Sequence, residues 1–489
     1  MKKKINRRNA IKTGAVSCLG ASLASYTTKK AIAAEDDRRF LIVVTATGGG
    51  SIIDSFLPIQ ESSINQPGLS TYTSQQIFKP EGSEIATVHP FSNLKIQGLE
   101  VATAANNMVT FLENNYQNTA ILCHEVTSVN HEEAQKRAMN GNSANRGETI
   151  LEAVARRHGN GLLIPSCNMS VNGYAQPGQY PKTPESARPL LISNPKNFAF
   201  TTHASKGVLN APDESLLNRA RKIRGSVEKR GQFWQTFQNN SRLSSYIAAR
   251  NSLTSFEEAN LIEKLMIVKE SEGEFPLDDY GLNPSPLLEI LNKSFPNLMF
   301  DAIQAQAALA YLLLKGNISS SVAIGPSFNL EIDTNNKIIN PPLSFDFSHS
   351  DHRNAQNFTW HRLMGTVDSL IALLKATNYK GNPELGTLWE RTLIYIATDF
   401  GRDKILQPSG GSGHHTNNAS VIISPLIKGN KIYGGIDEAS GLTYGFDLNK
   451  GNPTPGINGI REPHIYSLIT QAMGIEFPNQ INMSAVIKS

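Results

Sequence analysis

Cysteine is nearly absent. Three in 489 residues cannot staple a fold built from small disulfide-rich domains. Charge is also modest, at 18% of residues beside 39% hydrophobic, which excludes a chain held open by self-repulsion. No series of long apolar runs is present, so a multi-span membrane protein is excluded. Internal repeats are missing, and with them the solenoid architectures. The remaining class is a globular protein with one large α/β domain or two ordinary ones.

The net charge of +4 has an uneven origin. Residues 1–33 hold Lys2, Lys3, Lys4, Arg7, Arg8, Lys12, Lys29 and Lys30 and no acid. An apolar, small-residue stretch from Thr13 to about Tyr26 follows, then Ala31-Ile32-Ala33. A basic start, a short apolar core and small residues at the end predict an export signal over residues 1–33. The adjacent Arg7 and Arg8 make it a twin-arginine signal. The expected partner in export is the twin-arginine translocase, and the expected location is periplasmic or secreted. No transmembrane helix is expected in the mature chain, residues 34–489. Taking the eight bases of the signal from the 46 in the chain leaves 38 against 42 acids, a charge of −4. A nucleic-acid partner therefore loses its electrostatic support. Twin-arginine export carries folded proteins, so a preassembled metal or cofactor site suits it. Cys123 and Cys167 remain, either as one disulfide or as two buried free thiols.

Compact apolar runs predict buried strands at Arg39–Thr45, Thr119–Cys123, Leu162–Pro165, Ser319–Ile324, Leu393–Ala397 and Ser420–Ile423. Between them, helical spacing predicts helices over 104–115, 147–158, 287–315, 355–377 and 463–473. Strands alternating with helices predict an α/β fold with a mostly parallel central sheet. A helical insertion over about 212–285 interrupts it. There Leu216, Ala220, Ile223, Val227, Phe233 and Phe237 recur at helical spacing and are expected to pack on the sheet domain. Its basic cluster, Arg219, Arg221, Lys222, Arg224, Lys229 and Arg230, is interspersed with acids and reads as a solvated face.

Five of the 11 His lie between His349 and His415, beside Asp346, Asp351 and Asp399. Imidazole and carboxylate are the usual ligands of Zn²⁺ or Mn²⁺. Asp399 follows a buried strand, the place where α/β sheets carry their sites. Arg402 could clamp an oxyanion, and one of His414 and His415 could complete a metal shell. The loop Thr45-Ala46-Thr47-Gly48-Gly49-Gly50-Ser51 could present backbone N–H groups to an anion, with Thr47 or Ser51 as nucleophile and Asp54 as a ligand. His131-Glu132-Glu133 at a helix start offers a further ligand pair.

These blocks, in this order, resemble a family of exported bacterial proteins called domain of unknown function 1501, related to alkaline phosphatases and sulfatases. The resemblance runs from the twin-arginine signal through the first strand and Gly-Gly loop to Pro58, Val88-His89-Pro90 and His131-Glu132-Glu133-Ala134-Gln135. It continues with the Asp346/His349 loop, Asp399-Phe400-Gly401-Arg402, His414-His415, 428–435 and the helix from His464 to Ile475. It implies a three-layer α/β/α sandwich of the alkaline-phosphatase type. It also implies a metal-dependent hydrolase of phosphate or sulfate esters, taking an anionic small-molecule substrate and a divalent ion (Zn, Mn, Mg or Ca). Carried over by motif, the metal ligands are Asp346, His349, Asp399 and His415, and the catalytic groups are Thr47 or Ser51 and Arg402. Phe400 stands where the wider superfamily has a metal-binding His, and the acid expected directly after the first strand is missing. These departures leave a second reading, a degenerate periplasmic binding or assembly protein of the same fold.

Overall fold

The computed structural model describes residues 37–488 apart from 64–65, 97–98, 102–104, 209, 241–242, 244–245, 248–253, 269–276, 278–280, 326–330, 333–337 and 341–343. The export signal expected over residues 1–33 lies outside the described residues.

At the centre is an eight-stranded sheet. Its strands are β1 (Phe40–Ala46), β2 (Thr119–Glu125), β3 (Ser166–Asn168), β4 (Leu190–Leu191), β5 (Ser321–Ile324), β6 (Thr392–Thr398), β7 (Asn417–Ile423) and β8 (Lys431–Tyr433). Across the sheet they run β8-β2-β7-β6-β1-β5-β3-β4. Every pairing is parallel except those of β7, which opposes both β6 and β2. The sheet is thus mostly parallel, as expected.

Seven helices bear on the argument: α1 (Met108–Asn115), α2 (His131–Asn140), α3 (Ile150–His158), α4 (Glu214–Arg230), α5 (Ala302–Lys315), α6 (His352–Lys375) and α7 (Glu462–Ala472). Strands β1 and β6 are buried at every position, which is why their sequences are continuous apolar runs rather than alternating ones. Successive side chains still point to opposite faces. Phe40, Ile42 and Val44 join one hydrophobic cluster with residues of α1, α5 and α6. Leu41 and Val43 join another with residues of α3 and α7.

Two expectations shift, and one open choice is decided. Leu162–Pro165 is not a strand; β3 starts at Ser166, because Pro165 has no N–H to give a ladder. The helix expected over 287–315 is two, Leu288–Ser294 and α5, with Pro296 between them and Asp301 accepting from Ile303 N at the second start. Cys123 in β2 and Cys167 in β3 are buried free thiols. Four strands separate theirs in the sheet, and at about 4.8 Å per strand that distance is far beyond disulfide reach.

In the insertion, α4 forms where the spacing predicts a helix, but none of its residues is buried. Its apolar stripe points away from the sheet domain instead of packing on it. Among the described residues, no helix is long and apolar enough to cross a membrane.

Candidate metal centre

Three parts of the chain meet at the carboxyl edge of the sheet. The first is the exit of β1. Thr47 makes a parallel bridge to Ser344, and its carbonyl accepts from Phe345 N at 2.8 Å. Gly48 and Gly49 follow with φ of +106° and +78°. A side chain at Gly48 would start 2.2 Å from Asp346 N, so only glycine lets the two backbones touch. The loop does present an N–H to an anion, but an internal one: Gly48 N donates to Asp399 Oδ2 at 3.0 Å.

The second part is the turn of 3-10 helix Phe345–His349, started by Ser344, whose hydroxyl accepts from Asp346 N at 3.1 Å. With three residues per turn, Asp346 and His349 fall on the same side. The third is the chain after β6. Asp399 follows the strand directly, and Gly401–Arg402 pairs antiparallel with His414–His415, Arg402 opposite His414. Helix α2 adds its first residue, His131; Asn130 caps it by accepting from Glu133 N.

Four side chains converge there: His131, Asp346, His349 and His414, each offering one ligand atom within 4.8 Å of the others. His131 Nε2 lies 3.4 Å from Asp346 Oδ1, His349 Nε2 lies 3.4 Å from the same oxygen, and His349 Nε2 lies 2.9 Å from His414 Nε2. A tetrahedral ion with bonds of about 2.05 Å has ligands about 3.3 Å apart. These three separations are close to that value, and all four ligand atoms lie within 4.8 Å of one another.

The tautomers suit such an ion. His131 Nδ1–H donates to Asp399 Oδ2 at 2.7 Å, and His414 Nδ1–H donates to the Val129 carbonyl at 3.0 Å. Each therefore turns a bare Nε2 into the cage, the arrangement in which an outer partner orients a metal-binding imidazole. The bond from Asp399 raises the His131 pKa against the effect of burial. Burial first, then the Arg402 guanidinium, lowers those of His349 and His414. Phe400 forms the floor, its ring centroid 4.1 Å from that of His414 and 4.9 Å from that of His131.

Of the four expected ligands, Asp346 and His349 are in the cage and two are not. Asp399 is fully buried and accepts from His131, Gly48 N, Gln135 and Tyr174 OH, the last at 2.6 Å. Its acceptor sites are occupied, and it stands behind His131 as the group that aims it. His415 faces away because neighbours on a strand point to opposite sides. Its Nδ1 accepts from Asn417 N at 3.0 Å, while His414 takes the inward place.

The expected catalytic groups are also engaged elsewhere. Arg402 is fully buried. It donates to the carbonyls of Gly48, Gly49, Phe345 and Ser412 and to Asp346 Oδ1 at 3.1 Å, and its Nη1 lies 3.3 Å from His349 Nε2. No nitrogen is left over to clamp an oxyanion; the guanidinium braces the cage from below. Ser51 is fully buried, its backbone N–H donating to Gln356 Oε1 at 2.8 Å, and its hydroxyl lowers the pKa of Asp54. Asp54, expected as a ligand, sits in a separate buried cluster, 2.8 Å from His352 Nε2 and accepting from Ser70 and Tyr72. Burial pushes its carboxyl up, but His352 and the hydroxyls of Ser51 and Tyr72 hold it well below the usual carboxylate range. Thr47 is buried at the strand exit. Glu132 and Glu133 pair with Lys136 and Arg137 on α2, outside the cage.

No known family model matches the chain, and no curated protein is detectably similar to it.

Proposed function

We propose that the protein is an exported, metal-dependent hydrolase of phosphate or sulfate esters with an alkaline-phosphatase-type α/β/α sandwich. The observation that carries the metal part is the convergence of three imidazole nitrogens and one carboxylate oxygen, with His131 aimed by Asp399. Three nitrogens and one oxygen near tetrahedral spacing favour Zn²⁺ over Mg²⁺ or Ca²⁺, which prefer all-oxygen shells. The place at the carboxyl edge of a mostly parallel sheet supports a catalytic use.

A divalent ion there would supply Lewis acidity toward an ester oxygen and make water more acidic, provided one coordination position stays open beside the four side chains. The chain's own part is to hold the ligands. Asp399 fixes the proton of His131 on Nδ1, and Arg402 offsets the charge of Asp346. The half-exposed rings of His131 and His349 leave the site open to a small anionic substrate.

A second reading, metal binding without turnover, is favoured by one observation. Ser51 and Arg402, the expected nucleophile and oxyanion clamp, are both fully committed inside the protein. Elemental analysis of purified protein followed by a screen of phosphate and sulfate esters separates the two. One ion per chain with turnover lost on chelation is the expected result. One ion with no turnover on any ester leaves the second reading, and no ion at all removes both.

A further inference from the structure

Among the described residues, nothing covers the apolar stripe of helix α4. Leu216, Ile223 and Val227 are 56%, 54% and 62% exposed, and Phe233 of the following helix Gln232–Phe237 is 68% exposed. At 3.6 residues per turn, Leu216, Ala220, Ile223 and Val227 fall within a band about 60° wide. Arg219 and Arg230 flank the band on one edge and Arg224 on the other, while Lys222 and Lys229 lie on the far side of the helix. Glu214 and Glu228 fall on the side of Leu217 and Arg221, and Glu228 lies 3.9 Å from Arg224.

That orientation is held. Both terminal nitrogens of Arg221 bond Glu257, at 2.7 and 2.8 Å, and Glu257 also accepts from Ala204 N. A two-pronged ion pair on the inner side turns the stripe to solvent. An isolated exposed leucine needs no explanation, but an aligned stripe with arginines along both edges does.

We propose that α4 is a docking face for an anionic lipid bilayer, lying in the plane of the interface. The stripe would enter the boundary between headgroups and acyl chains, and the flanking arginines would meet lipid phosphates. The charge nearest the band selects this partner: Arg230 and Arg219 on one edge and Arg224 on the other are all basic. A second copy of the same basic face would meet it with like charge. The inference is independent of the metal centre.

The test is sedimentation of the purified protein with vesicles of phosphatidylethanolamine and phosphatidylglycerol, at low and high salt. Trp234 supplies a second readout. The other two tryptophans, Trp360 and Trp389, are buried in the core, so quenching by brominated lipid reports on the α4 region. Binding that weakens with salt, quenching of Trp234, and at least a tenfold fall in the bound fraction for I223D/V227D are expected. R219E/R230E should lose binding to a similar degree. Both pairs sit on exposed positions, and an unchanged circular dichroism spectrum shows that they fold. Three results overturn the proposal: no binding to anionic vesicles, equal binding to pure phosphatidylcholine, or full binding by I223D/V227D. A vesicle-free dimer in light scattering that I223D/V227D dissociates also overturns it, making the stripe a self-association face.

Discussion

Nε2 of His349 and Nε2 of His414 face each other at 2.9 Å. His414 keeps its proton on Nδ1, bonded to the Val129 carbonyl, so the nitrogen it turns to His349 is a bare lone pair. His349 Nε2, 2.9 Å from it and 3.4 Å from the Asp346 carboxylate, must either donate a proton to it or share a cation with it. That requirement sets the first expectations.

His414 and His415 should behave differently although they are adjacent. His414→Ala should lower Zn²⁺ affinity by at least tenfold, by titration calorimetry or against a chromophoric chelator. His415→Ala, which removes a ring on the other side of the ladder, should leave affinity within about twofold. Equal losses would falsify the placement of His414 in the cage.

Asp399→Asn tests the aiming of His131. An amide can present an N–H where the carboxylate accepted, so His131 loses the partner that fixes its proton. Loss of an outer partner of this kind typically costs 10–100-fold in metal affinity. The affinity should fall in that range while the circular dichroism spectrum is retained; unchanged affinity with an intact fold argues against the role.

Gly48→Ala should damage both stability and the site. The added carbon meets Asp346 N at 2.2 Å in a backbone with φ of +106°. Strain of this kind costs about 1–3 kcal/mol before the clash is counted. A lowered melting temperature together with weakened metal binding is expected. Gly161→Ala, a glycine of similar positive φ with open space around it, should lose stability without affecting the metal.

Acid should destabilise the fold through three histidines away from the site. Burial lowers His124, His158 and His361 to about 4 from an ordinary 6.5. The folded protein keeps them neutral while the unfolded chain binds their protons, so the stability they contribute is whole above pH 6.5 and is lost as pH falls towards 4. Melting temperatures measured in chelator should drop across that interval. In His158→Gln, which can still donate to the Met473 carbonyl that His158 Nε2 meets at 2.7 Å, the slope should be shallower by about one proton.

Both remaining thiols should stay reduced and hidden. Burial raises Cys123 and Cys167 to about 12. The protein without its first 33 residues should show no reaction with Ellman's reagent until denatured, then two thiols, with the same melting temperature with or without reductant. One thiol or none after denaturation counts against the sheet order.

Much of the sheet can be read in the sequence because its central strands are buried on both faces. Phe40–Ala46 and Thr392–Thr398 are written as uninterrupted apolar runs, and such runs have few other uses. Strand direction leaves no such trace. β7 carries the same kind of apolar run in Ser420–Ile423, and only its pairing shows that it runs opposite to β6 and β2. Asp346 and His349 are legible together because a single turn of 3-10 helix carries both. His131 is recognisable as a candidate ligand from its place at a helix start, but its partnership with Asp399 spans the chain and has no local signature. The choice between His414 and His415 depends on which face of a two-residue ladder looks inward, a fact of pairing rather than composition. The α4 stripe fails for a related reason: helical spacing identifies an apolar face without saying what covers it.

The cage draws its ligands from three remote stretches of the chain and closes only when α2, the Phe345–His349 turn and the His414 ladder have all docked on the sheet. A partly folded chain has no such site, whatever secondary structure it already possesses. Metal capture at this cage would then be a late event that seals a finished architecture. Release of the ion should loosen the joints between these segments before it disturbs the strands beneath them.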